Sequence, residues 1–149
     1  MGGMKSDTKA TAHLIMIYGA PGSGKSFFAE GFSEAFKAPY LDLNALRYKI
    51  FAQPNFSEEE NRSVREVGHS ILENLLKSGQ TVVLEGCLDT KADRDETKRL
   101  IKKTPYEPLL VWVQTDLNTM RQRVDKGLAT CKLTSKQFED MISQLEMPS

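Results

Sequence analysis

Two hydrophobic periodicities alternate along the chain. Leu14, Ile15, Met16, Ile17 and Tyr18 form a continuous apolar run, the pattern of a strand buried on both faces in a parallel sheet. Phe27, Phe28, Phe32 and Phe36 then recur at helical spacing, predicting a helix over Lys25–Phe36 that packs these rings on the sheet. Pro39 introduces a short second strand, Tyr40–Asp42, and a helical stretch from Asn44 to Ala52 that Pro54 closes. Ser57 with Glu60 has the spacing of a capping box, and the Glu58, Glu59, Glu60 run suits a helix N-terminus. That helix carries Val64, Val67, Ile71, Leu72, Leu75 and Leu76 on its apolar face until Lys77-Ser78-Gly79 stops it. A third strand runs from Thr81 to Leu84 and ends at Glu85, ahead of a helix from about Ala92 to Lys102. Pro105 and Pro108 bracket the turn into a fourth strand, Leu109–Gln114, in which Trp112 reads as core. A helix over Leu117–Lys126, a small-residue and basic loop over Gly127–Lys132, and a last helix from Thr134 to about Glu146, opened by a Thr134 and Gln137 capping box, complete the order. This alternation predicts an α/β domain, a three-layer α/β/α sandwich on a mainly parallel sheet of four to five strands, with ligands at the carboxyl ends of the strands.

The segment between the first strand and the first helix, Gly19-Ala20-Pro21-Gly22-Ser23-Gly24-Lys25-Ser26, fits the GxxxxGK[ST] phosphate-binding loop at every fixed position. Its glycines let backbone N–H groups converge on phosphates, Lys25 reaches the β and γ phosphates, and Ser26 offers a hydroxyl to Mg²⁺. A nucleoside triphosphate, ATP with Mg²⁺, is the expected ligand. Asp42 and Glu85 both fall at strand ends, where a carboxylate can hold a metal-bound water or accept a proton. Arg121 and Arg123 cannot share a helix face, since two residues turn the helix by about 200°; one of them is expected at the triphosphate. Arg62, Arg65 and His69 share a face of the long helix and read as a solvated stripe, with an acceptor wall as the alternative.

Composition narrows the setting. At 149 residues the chain is one domain, so nucleotide and acceptor must share one cleft. Twenty basic and twenty acidic side chains cancel, giving no global field toward nucleic acid or an anionic membrane. No apolar run has the length of a membrane span, and no secretory signal is present, so a soluble cytoplasmic protein is expected. Cys87 and Cys131 are far apart in sequence and read as free thiols. Met1-Gly2-Gly3 reads as an expression scar ahead of a start at Met4; residues 1–12 are expected to be disordered, and residues 13–149 to form the domain.

The chain resembles the small single-domain P-loop kinases of the polynucleotide-kinase and zeta-toxin-like group. The resemblance rests on the loop at 19–26, on Leu41-Asp42-Leu43-Asn44-Ala45-Leu46-Arg47, on Val82-Val83-Leu84-Glu85-Gly86 through Arg94, and on Leu110-Val111-Trp112-Val113 followed by Arg121 and Arg123. It implies a P-loop NTPase sandwich with a small helical lid, and a kinase that moves the γ-phosphoryl group of ATP to a hydroxyl of a small molecule, a nucleotide or a nucleic-acid end. Nucleic acid then enters only as a substrate, and no membrane partner is implied. In the family's Asp-x-x-Arg pattern the aspartate accepts the proton of the attacking hydroxyl and the arginine holds the acceptor. Here Arg47 matches and Asn44 stands in the aspartate's place. The resemblance assigns catalysis to Lys25, Asp42, Glu85, Arg47, Arg121 and Arg123, with an ATP-binding module or slow ATPase without transferase activity as the alternative that Asn44 leaves open. It also implies one strand beyond the last helix, where this chain reaches Met147-Pro148-Ser149; a four-stranded sheet and a truncated product both fit.

Overall fold

A computed structural model of the chain describes residues 11–127 and 133–147. The elements are β1 (His13–Tyr18), α1 (Lys25–Phe36), β2 (Tyr40–Asp42), α2 (Leu43–Ile50), α3 (Glu58–Leu76), β3 (Val82–Glu85), α4 (Lys91–Ile101), β4 (Glu107–Trp112), α5 (Leu117–Asp125) and α6 (Ser135–Gln144). The four described strands are all parallel, in the order β2-β3-β1-β4. β1 is central because each of its faces has a helical layer to bury against. Leu14, Met16 and Tyr18 enter one cluster with Val64, Leu72, Leu76 and Ile101 from α3 and α4, while Ile15 and Ile17 enter another with Ala29 of α1. That alternation converts the uninterrupted apolar run into two half-cores. The chain reverses direction across the sheet at β1, with β3 on one side and β4 on the other, so the carboxyl ends of β1 and β3 open a crevice at the switch point.

Three sequence expectations change. The aromatic set of α1 does not pack as one face: only Phe32 joins the core beneath the helix, while Phe27 is 86%, Phe36 69% and Phe28 41% exposed. α1 lies over β1, β2 and β3, and the outer rings Phe28 and Phe36 stack on Phe32, at 6.2 and 4.5 Å, rather than on the sheet. Val67 of α3 is likewise 42% exposed. Pro108 lies inside β4, not ahead of it. The position tolerates proline because, among the described strands, β4 is paired only with β1, so an edge N–H is not needed.

The Ser57 capping box is half formed. Ser57 accepts from Glu60 N at 3.1 Å, but the Glu60 carboxylate turns away to the backbone N–H groups of Asn55 and Phe56 and to Arg47. The Thr90/Asp93 and Thr134/Gln137 boxes are complete. Residues 1–10 of the expected disordered segment, Cys131, and the basic loop beyond Gly127 lie outside the described residues. No described helix is long and apolar enough to cross a membrane.

Exposure sets the energetics of these positions. Phe27→Ser is expected to shift unfolding free energy by less than ~0.5 kcal/mol, whereas Leu72→Ala, at a fully buried site, should cost about 2–5 kcal/mol in urea denaturation.

Candidate functional site

β1 delivers the chain into the phosphate loop and α1 takes it away. Gly22 at φ 80° and Gly24 at φ 97° hold left-handed backbone that a side chain would strain, and a Cβ on Gly22 would stand 2.8 Å from Met120 O. Both glycines are therefore fixed by shape before any ligand is considered. Thr115 Oγ1 donates to Ser23 O at 2.9 Å, and Arg123 Nη1 donates to Gly22 O at 2.8 Å, so the segment after β4 and α5 clamp the loop from outside. Ala20 is buried with Met120, Val124 and Phe138, which seats α5 and α6 on the loop itself. Ser23 Oγ is buried without a hydrogen-bond partner among the described residues, an uncommitted donor in the loop. Lys25 Nζ donates to Gly19 O at 3.0 Å.

Behind the loop, Glu85 ends β3 fully buried. Ser26 Oγ donates to its Oε2 at 2.7 Å and Tyr40 Oη to its Oε1 at 2.5 Å. Burial pushes the Glu85 carboxyl above its ordinary pKa and the Asp42 charge adds to this, while the two hydroxyls and Lys25 pull the other way. The Tyr40 phenol is raised by burial and by the same carboxylate, so it stays a donor. Asp42 sits beside this group but is committed as the N-cap of α2, its Oδ1 accepting from Asn44 N at 2.9 Å and Ala45 N at 3.2 Å. Its neighbour Asn44 lines the cavity.

A single cavity of about 860 Å³ runs from the phosphate loop to a wall made by α2, α3 and the segment joining β3 to α4. Lys25, Ser26, Glu85, Arg47 and Arg123 all contribute to it. Arg121, two residues before Arg123, faces away: it pairs with Glu139 and lies over the Phe138 ring at 6.0 Å. Arg47 is 4% exposed, donating from Nη1 to Glu60 Oε1 at 2.5 Å and from Nη2 to Asn61 Oδ1 at 2.6 Å, and lies over the Phe56 ring. Its Nε is buried with no partner among the described residues. Burial would raise the Glu60 carboxyl, but the Asn55 and Phe56 N–H groups and the Arg47 guanidinium hold it below its ordinary value. Arg65 pairs with Asp93 at 2.9 Å and with Glu96 at 3.3 Å, so this member of the α3 stripe is tied to α4, while Arg62 is exposed. Arg94 is buried and structural: it donates to Leu88 O, Asp89 O and Met147 O and lies 4.6 Å over the Tyr18 ring, fixing the segment after β3.

That segment carries a residue the sequence reading passed over. The Asp89 carboxylate lines the cavity with no hydrogen bond from any described residue. Burial pushes its pKa up, Lys25 pulls it down, and Asp93 adds to the rise. The available signal was positional, a carboxylate in the turn just past the carboxyl end of β3.

Residues 14–148 match the family described as AAA domain. Among curated proteins none matches the chain. Solved structures similar to it include an APS kinase of Mycobacterium tuberculosis in complex with AMPPNP and APS, 21% identical over 80% of this chain and 72% of that one, with a TM-score of 0.66. A gluconokinase from Sinorhizobium meliloti is 18% identical over 94% of this chain and 78% of that one, at 0.67. A chain of the Pnkp1/Rnl/Hen1 RNA repair complex is 19% identical over 95% of this chain and 46% of that one, at 0.73. At these identities the likeness is one of fold.

The Arg47–Glu60 pair gives the site a pH signature. A carboxyl held below its unfolded pKa of about 4.5 adds stability that is present above that value and is lost as pH falls through the folded pKa. Glu60→Gln should cost about 3 kcal/mol at pH 7 by leaving a buried guanidinium uncompensated. The gap to the parent protein should narrow in denaturation curves taken from pH 5 down to pH 3.

Proposed function

This chain belongs to the AAA domain family and has the fold of small P-loop kinases, and on that basis we propose that it transfers the γ-phosphoryl group of ATP to a hydroxyl of a small acceptor. The observation that supports transfer over binding alone is the continuity of the cavity: one space joins the phosphate loop to the α2 and α3 wall, so donor and acceptor can meet in it. The loop amides, Ser23 and Lys25 bind the triphosphate, Lys25 exchanging its contact with Gly19 O for phosphate oxygens. Arg123, already on the loop, is the arginine placed for the transferred phosphoryl charge; Arg121 is engaged elsewhere.

Among the described residues no cluster of three or more His, Cys, Asp or Glu side chains could hold a metal. A magnesium ion needs only one or two protein oxygens beside the phosphates, and the adjoining Ser26 hydroxyl and Glu85 carboxylate are hard oxygen donors of that type. Bound there, Mg²⁺ supplies charge neutralisation of the phosphate oxygens.

The proton of the acceptor hydroxyl needs a base within the cavity. Asn44 is an amide and cannot take it, Asp42 is occupied as a helix cap, and both Glu85 oxygens accept from hydroxyls. Asp89, just past the carboxyl end of β3, is a cavity carboxylate with no hydrogen bond from any described residue, and burial raises its pKa, which makes it a stronger base than a solvated aspartate. A second reading, an ATP-binding module without transfer, is favoured by Asn44 alone.

Lys25→Ala is expected to lower transfer from [γ-³²P]ATP by at least about 100-fold. Asp89→Asn should lower kcat by about 10²–10⁴ with little change in KM for ATP, and should abolish the acidic limb of the pH–rate profile, where activity falls as the raised carboxyl is protonated. ATP binding without transfer to any acceptor, together with transfer created by Asn44→Asp, would establish the binding-module reading instead.

A further inference from the structure

The charges on the acceptor side of the cavity are already paired in an asymmetric way, and this bears on what it can hold. Two guanidiniums reach that side, Arg47 and Arg65. Arg47 spends Nη1 on Glu60 and Nη2 on Asn61; Arg65 spends Nη1 on Asp93 and Nε on Glu96. Glu60 is itself anchored, accepting from Asn55 N at 2.8 Å and Phe56 N at 3.1 Å, so it cannot swing aside to release Arg47 without leaving two backbone donors unmatched. What remains uncommitted in the wall is anionic or neutral. The carboxylates of Glu58 and Asp89 have no hydrogen bond or ion pair with a described residue, Asn44 adds a neutral amide, and the buried Tyr18 hydroxyl and Arg47 Nε–H lack partners. No unpaired cation among the described residues faces this end.

Resting on the kinase reading above, we infer that the acceptor is a small hydroxyl compound without phosphate or sulfate, a polyol or amino sugar whose ammonium group, where present, lies toward Glu58. A phosphate monoester here would face two carboxylates and find both arginines already paired with carboxylates, Arg47 keeping only its Nε–H and so no bidentate fork to offer. Like charges placed together disfavour a ligand strongly, and the compensating fork of a free arginine is missing. Hydroxyls, by contrast, match the unpartnered Tyr18 hydroxyl and the Arg47 Nε–H, since each such group left buried and unsatisfied disfavours the empty wall. An ammonium group gains from Glu58 and Asp89 without disturbing any existing pair. The donor phosphates stay at the opposite end, on the loop with Lys25 and Arg123, so the cavity is polarised into a phosphate-binding half and a phosphate-excluding half.

The test is an acceptor screen on the intact protein with [γ-³²P]ATP, in which each scaffold is offered as the neutral polyol, the amino derivative and the phosphate ester: inositol, glucose and ribose series, plus a 5′-hydroxyl oligonucleotide. Turnover is expected only among neutral and amino members, with kcat/KM for the phosphate ester of the same scaffold at least tenfold lower. Glu58→Lys, an exposed change that should leave the thermal unfolding curve in place, is expected to reverse this order, reducing kcat/KM for amino acceptors at least tenfold and improving binding of their phosphate esters. Preferred transfer to a phosphate ester or to the oligonucleotide overturns the inference while leaving the kinase reading intact. Tight ATP binding with no transfer to any member overturns both.

Discussion

The Glu85 carboxylate is the constraint on which the site depends. It is fully buried and touched by no cation at hydrogen-bond distance among the described residues, and it is held by the hydroxyls of Ser26 and Tyr40. Those two contacts bind the end of β3 to the first turn of α1 and to the start of β2. An isolated carboxylate in such a place is costly, and the two donors offset part of that cost. The result is that the phosphate loop, which begins at the end of β1, has a fixed floor. The clamps from Thr115 and Arg123 supply its outer wall.

The same accounting of polar groups explains how the rest of the cavity is partitioned. On the α2 and α3 side, Arg47 pairs with Glu60 and Arg65 with Asp93, each a carboxylate from another element, and those two carboxylates are held by turn amides and by a helix cap. Asp93 caps α4 and pairs with Arg65 at once, so the helix start and the ion pair are one unit. Charge that looks available in the sequence is consumed in building the wall. The loop side differs because its lining residues, Gly22 to Ser26, include Lys25 and no carboxylate, and Lys25 is held by a backbone carbonyl rather than by an ion pair.

Much of the fold was legible because it depends on short-range rules. The β1 run, the glycines at 22 and 24, and the Thr134 and Gln137 cap each follow from backbone sterics or from residues within four positions. The Phe residues of α1 show where that reasoning stops. Helical spacing establishes that Phe28, Phe32 and Phe36 line up, but not whether a sheet lies beneath all of them, and α1 proves to be set so that only Phe32 is covered. Arg121 and Arg123 divide in the same manner: their opposite directions follow from helix geometry, while which one meets the phosphate loop depends on where α6 places Glu139.

By itself the sequence determined the alternating α/β order and the phosphate loop, because periodicity and positive-φ glycines are local properties of the chain. It also located Glu85 at a strand end. Only the tertiary structure decided which charged groups remain free to act. Arg47 meets its partner Glu60 across two helices, Asp42 is drawn into capping α2, and the Asp89 carboxylate is left without a hydrogen bond from any described residue because Arg94 takes the Leu88 and Asp89 backbone carbonyls rather than that carboxylate. Pairing of charges is settled by distance in space, and residues thirteen or more apart in sequence reach one another only after the helices have packed.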